Sequence, residues 1–475
     1  MPANPSSVIY PADACYWQQV LDQQPSQANP ISSARTYDVA IIGGGFSGLW
    51  TAYYLKKRAA DLSVAVFEAY HCGFGASGRN GGWLMGNLAG EHHWMPSLAL
   101  PEQDSARRLI TGIVDEIKNV CATEDINCDL AHGGTLYIAA RYPEQEVTQR
   151  SMLQELHDCG YREDDYRWLS PSEMQQQVHV APCYGGVFTP HTAAIHPGKL
   201  VQGLLDTVKN LGVDIHDFSP VERVSDRSIV VRGQPIAADI IVNATEAYDP
   251  FQPNHRPYNL PLQSQIASTV PLSESQWQQI GIAKRQTFAE ASKLVTYAQR
   301  TADNRLVFGT RGNYRFGGHP SPQFQLAPQG QHDIRSLIGS LFPSLRDVEF
   351  SHTWTGSLGL AKSDTPYSIF DPHSGQGWLG GYGGEGVGAT NLMARTLVDQ
   401  IFHESTERTQ APWAKQGTPR QILRRWEPEP LRWIGYKSIR WLLQHEEQAC
   451  ENRNTSEWYR RLISRIAEFI NKTFL

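Results

Sequence analysis

The sequence predicts an α/β fold that opens on a nucleotide-binding unit, on three observations. A short apolar strand, Tyr37 to Ile42, runs straight into Gly43-Gly44-Gly45-Phe46-Ser47-Gly48. Leu49 to Arg58 then reads as a helix with its apolar positions on one face, and Ser63 to Phe67 reads as a second strand that ends on Glu68.

Each element has a physical reason. Gly43 permits the tight turn, Gly45 removes a side chain that would block a pyrophosphate, and Gly48 lets the helix pack closely on the strand. Phosphate charge would meet backbone N–H groups at the helix start, near Phe46 and Ser47. Glu68 lies 20 residues after Gly48, where an acid accepts hydrogen bonds from ribose hydroxyls and disfavours a 2′-phosphate. The strand–turn–helix pattern alone does not separate FAD from NAD.

Composition sets the frame. At 475 residues, two or three packing units are expected, with room to bury an extended ligand. Forty-two basic and 48 acidic side chains give a net charge of −6, with nothing that calls for nucleic acid. The seven cysteines are scattered without a Cys-x-x-Cys spacing, which fits a reducing cytosol. Residues 1–36 read as an amino-terminal arm and not as a signal, because they are polar and broken by prolines. Val39 to Leu55 lacks charge, but its consecutive glycines suit a turn better than a membrane span. The 16 histidines, including His196 alone before Pro197, lack ligand spacing, so no metal is expected.

The segment after Glu68 and Ala69 favours FAD. It is long, glycine-rich and carries a cation, as if laid along an extended dinucleotide: His71-Cys72-Gly73-Phe74-Gly75-Ala76-Ser77-Gly78-Arg79-Asn80-Gly81-Gly82-Trp83. Residues 75 to 82 resemble the flavin-proximal loop of the D-amino-acid oxidase and glycine oxidase superfamily, especially its gamma-glutamylputrescine oxidase-like branch.

Later segments continue the resemblance through residue 400. Ala194 to Lys199 resembles the entry to a helix that returns to the FAD unit, and Val213 to Val224 resembles the strand whose backbone, near Val221, contacts adenine. Ile241 to Thr245 is similar to the strand that closes the unit, and Ala302 to Gly309 to a substrate-domain strand. The last match is Trp378 to Gly388. Its Gly381, Gly383 and Gly386 form a second Gly-x-Gly-x-x-Gly, but no second strand and acid follow. The loop, with Gly383, Gly384, Gly386, Val387 and Gly388, is expected to aim the next helix's positive end at the flavin pyrimidine edge, although a crowded turn beside the sheet would need the same glycines.

Two departures qualify the resemblance. Sarcosine oxidase relatives place an oxygen-activating lysine in the strand matching Leu306 to Gly309 and a flavin-tethering cysteine near His352 to Thr355; this chain has neither. Non-covalent FAD is therefore expected, with His352 or the His71-Cys72 pair as exceptions, and the electron acceptor is left as oxygen or another compound.

The resemblance implies hydride transfer from a C–N carbon of an amine or amino acid to flavin N5, giving an imine that water hydrolyses. Arg311, Tyr314 and Arg315 sit at a plausible pocket edge, where an arginine would clamp a carboxylate or else be solvated surface. Glu385 would attract an ammonium or order its loop. Trp83, Trp354 and Tyr382 suit an aromatic cage or core packing alike. The rival class is an accessory flavoprotein that modifies or matures a partner protein.

A discontinuous Rossmann-like FAD-binding domain is expected from residues 37–95, 185–250 and 353–402, with a β-sheet substrate domain from 96–184 and 251–352. Residues 403–475 are expected to form a helical extension; residues 410–475 carry twelve basic against seven acidic side chains and five of the 13 tryptophans. Packing across the body is the favoured role, with peripheral membrane or protein contact as alternatives.

Overall fold

The computed structural model describes residues 15–21, 36–249, 251, 257–320, 325–452 and 454–474, with side chains to residue 466 in the last helix. Its first sheet has nine strands. Strand Thr36–Ile42 lies at the centre, parallel to Gln234–Asn243 on one side and to Val64–Phe67 on the other. Both faces are covered, so Val39, Ala40 and Ile41 are buried, as a central parallel strand requires. Asp214–His216 continues the sheet past Val64–Phe67; Gln376–Gly380, Tyr367–Asp371 and Ala414–Gln416 continue it past Gln234–Asn243. The matched stretch Val213 to Val224 divides into Asp214–His216 and the start of a separate strand, Val221–Ser225.

The second sheet has eight strands, in the order Phe350–Ala361, Asn259–Thr269, Leu306–Tyr314, Thr296–Arg300, Thr287–Glu290, Thr135–Ala139, Gly185–Thr189 and Arg167–Leu169. All neighbours are antiparallel except Thr287–Glu290 with Thr135–Ala139. Two strands expected in the first unit belong here: Gly185–Thr189 pairs with Thr135–Ala139, and Phe350–Ala361 pairs along Asn259–Thr269. Residues 185–189 and 353–361 were expected in the FAD-binding domain, whereas the ladder that satisfies their backbone groups lies in the other sheet. A separate ribbon pairs Trp83–Met85 with Thr192–Ala194.

Of the expected arm, Cys15–Leu21 and Thr36 lie within the described residues; Thr36 begins the central strand, and Cys15–Leu21 is packed against the body. Trp17 is fully buried against Phe74, Ile266, Val307 and Trp354. At the other end, helix Leu431–Glu451 lies against the edge of Leu306–Tyr314. The Tyr436 hydroxyl donates to the Gly312 carbonyl at 3.2 Å, and the Trp426 indole donates to Leu360 O at 3.0 Å. No helix among the described residues is long and apolar enough to cross a membrane.

Candidate cofactor cleft and substrate pocket

The glycine turn is built as the spacing requires. Gly43 has φ +105°, and a Cβ there would meet Ala244 O at 2.9 Å. A Cβ on Gly48 would fall 2.0 Å from Gly43 O, so this glycine permits the helix Phe46–Arg58 to start against the strand. That helix has no side-chain cap, and its first-turn amides have no helical carbonyl to meet. The Phe46 amide instead donates to Ser77 Oγ at 2.8 Å. Glu68 accepts from the Gly44 amide at 2.7 Å and the Tyr70 amide at 3.0 Å; burial pushes its carboxyl up to about 6. Ala69 follows it, half-buried at the sheet's edge.

The loop from Gly75 to Trp83 is held on its outer side by donors from distant segments. The Trp17 indole donates to Asn80 O at 2.8 Å, Trp354 to Arg79 O at 3.2 Å and Gln299 to Gly81 O at 2.7 Å. Trp83 donates to Ala298 O at 3.1 Å. Within the loop the Asn80 amide donates to Ala76 O and Ser77 O, while its oxygen accepts from the Gly82 amide. Arg79 is 2 % exposed and its guanidinium donates to the Tyr248 hydroxyl and to Gly75 O. A Cβ at Gly81 would be 2.5 Å from the Tyr297 ring, and one at Gly82 would be 1.9 Å from the Gln299 amide. These glycines thus seat the loop on the second sheet.

The second glycine loop approaches from the opposite side. Tyr382 is buried, and its hydroxyl is 2.7 Å from Ser47 Oγ, tying this loop to the first helix. Gly383 and Gly384 have φ +66° and +147°, and helix Gly386–Ile401 starts without a side-chain cap on Glu385. Val387 is buried. Gly388 is required by close packing, since a Cβ there would lie 2.1 Å from Met85 O.

A charged pocket adjoins this loop. A Cβ on Gly383 would be 3.5 Å from Glu385 Oε2 and 3.6 Å from Asp364 Oδ1, so the two carboxylates converge. Burial pushes Glu385 up to about 7 and raises Asp364, and the Arg311 guanidinium opposes both shifts. Arg311 is half-buried and forms no ion pair or side-chain hydrogen bond among the described residues. Glu91 lies nearby, pushed up to about 8 by burial, with its carboxyl receiving the Leu88 amide at 3.1 Å and the Tyr161 hydroxyl at 3.2 Å.

Several expected residues sit elsewhere. Arg315 is exposed, and Tyr314 is buried with its hydroxyl on Glu429 and Arg432. Arg315 lies beyond the end of strand Leu306–Tyr314, and the strand's register shifts between Arg311 and Tyr314, which ends it against the carboxyl-terminal segment. Trp354 is core against Trp17, whereas the Trp83 ring lies against Tyr297 with centroids 6.3 Å apart. Val221 is a buried strand residue opposite Val231. His196 caps helix Pro197–Asn210, its Nδ1 accepting from Lys199 N at 3.2 Å.

The sequence reading missed Glu246, Tyr248, Asp364 and Glu91. Glu246 has φ +48°, and its carboxyl accepts from the Ala247 amide at 2.6 Å. It lies against Gly359, where a Cβ would be 2.3 Å from Oε1, and burial pushes it up to about 7. Oε1 is buried without a partner among the described residues. Its one signal was position, directly after Asn243-Ala244-Thr245 at the carboxyl end of a parallel strand, where ligands gather in such sheets.

A parallel sheet with a glycine turn and an acid at its second strand, roofed by an antiparallel sheet, defines a flavin-dependent oxidoreductase of two-sheet design. The chain belongs to the FAD dependent oxidoreductase family, whose model matches residues 38–400. It is 28% identical over 396 residues to gamma-glutamylputrescine oxidoreductase of Escherichia coli (strain K12), covering 80% of this chain and 87% of that one. It is 27% identical over 393 residues to the probable oxidoreductase OrdL of Haemophilus influenzae (strain ATCC 51907 / DSM 11121 / KW20 / Rd), covering 80% and 86%. In fold it is similar to glycine oxidase from Geobacillus kaustophilus, with a TM-score of 0.65, 18% identity, and 80% of this chain and 98% of that chain covered. It is thus an FAD-dependent oxidoreductase related to amino-acid and amine oxidases. The helix start has no cap from its own N-cap residue, and a Cβ at Gly45 would meet Ser77 Oγ, so the residues of the glycine turn fit the FAD that the family carries.

Proposed function

We propose that this enzyme oxidises a carbon–nitrogen bond of an amine or amino acid, with FAD held non-covalently and Arg311 receiving a substrate carboxylate. The observation that carries this reading is the half-buried guanidinium of Arg311, unpaired among the described residues yet facing Glu385 and Asp364. An arginine so placed offers a planar fork suited to a bidentate carboxylate. Bound FAD supplies the two-electron acceptor that takes hydride from the carbon bearing nitrogen.

The side chains then have separate roles. Arg311 orients the substrate, and Trp83 and Tyr297 wall the pocket with rings 6.3 Å apart. Glu385, pushed up to about 7, receives an ammonium proton and leaves the amine lone pair free. Tyr382, hydrogen-bonded to Ser47, fixes the glycine loop beside the first helix. The names of two related proteins, gamma-glutamylputrescine oxidoreductase and glycine oxidase, fall within the same substrate class. Non-covalent attachment is supported by Cys72, which is buried behind Gly44 with its thiol raised well above the usual range by burial. The Nδ1 of His71 lies 3.0 Å from Cys72 O.

The test is the visible spectrum of the purified protein during anaerobic addition of amines and amino acids, followed by air. Flavin bands that bleach with carboxylate-bearing amines support the proposal, and recovery in air identifies oxygen as an acceptor. Bands reduced only with a protein partner would favour the accessory role, and failure to bind FAD on reconstitution would remove the reading altogether.

A further inference from the structure

The carboxyl-terminal helices bury one face and leave another apolar. In helix Leu431–Glu451, Ile439, Leu442, Ala449 and Cys450 face inward, while Leu431, Ile434 and Trp441 are exposed by 60%, 49% and 57%. Spacings of three and seven residues put those three on one side of the helix. In the following helix, Glu457–Phe474, Trp458, Leu462 and Ile466 repeat at intervals of four and are exposed by 70%, 39% and 42%. The two stripes meet: Trp441 and Ile466 line one groove of about 650 Å³ with Lys437 and Arg440. Exposed apolar surface of this extent, on a chain with a net charge of −6, calls for an occupant.

Charge says which. Three acids of the first helix are turned to the body, while Glu457 of the second is exposed. Glu447 and Glu451 pair with Arg141, and Glu446 pairs with Lys293 at 2.9 Å and accepts from Ser464 at 2.6 Å. Arg461 and Arg465 are exposed beside the second stripe, while Lys437 and Arg440, half-buried at the groove, reach Asn313 Oδ1 and Gly312 O. Arg461 meets only Glu457 of its own helix, and Arg465 has no ion pair among the described residues. A symmetric pairing of two copies through this face would set these cations against one another. The exposed stripe of the first helix, Leu431 to Trp441, runs about 15 Å and with the second stripe sets tryptophan and aliphatic side chains beside cations, the pattern of helices lying in a lipid headgroup region.

We propose that this two-helix face docks the enzyme on an anionic lipid bilayer, with both helices in the plane of the interface. The FAD-loaded full-length protein is tested by flotation with phosphatidylcholine vesicles, with and without phosphatidylglycerol. Flotation only with the anionic vesicles, weakened by salt, is the expected result. Each outward base contributes about fivefold, so Arg461→Glu with Arg465→Glu should weaken binding at least twentyfold. Trp441→Ser with Trp458→Ser should also release the protein, while its flavin spectrum and melting temperature show it folded. Failure to float, or equal flotation with phosphatidylcholine alone, overturns the proposal. So does sedimentation as a dimer that the tryptophan variant dissolves, since the face would then join two copies.

Discussion

Ser77 Oγ receives the Phe46 amide at 2.8 Å, so the loop after the second strand closes over the start of the first helix. The same oxygen would be 2.8 Å from a Cβ on Gly45. The anion site is therefore shaped by two segments that meet only in the fold. Ser77→Ala removes one hydrogen bond, worth about 1 kcal/mol, and should weaken FAD binding roughly fivefold. Gly45→Val forces the loop off the helix and should abolish binding. Quenching of flavin fluorescence on titrating apoprotein measures both; unchanged affinity in Gly45→Val would place the pyrophosphate elsewhere.

Arg311 leads to a second expectation. Its guanidinium opposes the rise of both Glu385 and Asp364, so its removal does two things. Arg311→Gln should raise KM for carboxylate-bearing substrates by about 10- to 100-fold, in line with the loss of a charge-assisted pair. It should also move the acid limb of the kcat/KM profile to higher pH, because Glu385 loses its stabilising cation. An amine without a carboxylate should show little change in KM. Equal losses for both substrate types would mean that Arg311 only supports the fold.

Legibility in the sequence follows the range of the contacts. The strand, the turn with Gly43, Gly45 and Gly48, the helix and Glu68 were readable because each is a local steric demand at fixed spacing. The helix after Gly386 was readable for the same reason. Residues 185–189 and 353–361 were expected in the FAD-binding domain yet pair in the second sheet, since strand pairing depends on partners far away in the chain. Glu246 and Asp364 gave no motif, because their importance lies in what the fold sets around them: Gly359 and Tyr382 for one, Arg311 and Glu385 for the other. Tyr314 was expected at the pocket edge beside Arg311, but its partners Glu429 and Arg432 lie more than a hundred residues away, and Trp354 suits core or cage equally until the fold sets Trp17 beside it.

Trp17 makes the amino-terminal segment part of the cofactor cleft. It is fully buried and its indole donates to Asn80 O, while neighbouring Gln18 donates to Gly73 O and Phe74 O. Trp17→Ala should cost about 3 kcal/mol in stability and speed the loss of FAD. Trp17→Phe keeps most of the buried surface but not the hydrogen bond, so it should recover most of the stability while FAD still dissociates faster. Thermal melts and stopped-flow transfer of FAD to an acceptor apoprotein separate the two effects. If Trp17→Phe released FAD at the native rate, the indole bond would have no part in holding the loop.

Glu91 links the pocket to pH. Burial raises its carboxyl from 4.5 to about 8, so the folded protein keeps a proton that the unfolded chain gives up. For an acid raised in this way, stability is highest below about pH 4.5, falls as pH climbs towards 8, and is level above it. The shift corresponds to a loss on the order of 5 kcal/mol across that interval. Glu91→Gln keeps an oxygen to accept from Leu88 and Tyr161 but does not ionise. Its stability relative to the native protein should therefore rise steadily between pH 5 and 8, read from urea denaturation at each pH with FAD in excess. A difference that stayed constant with pH would show that Glu91 is ionised in the fold, with the Leu88 amide and Tyr161 hydroxyl holding a charge instead of a proton.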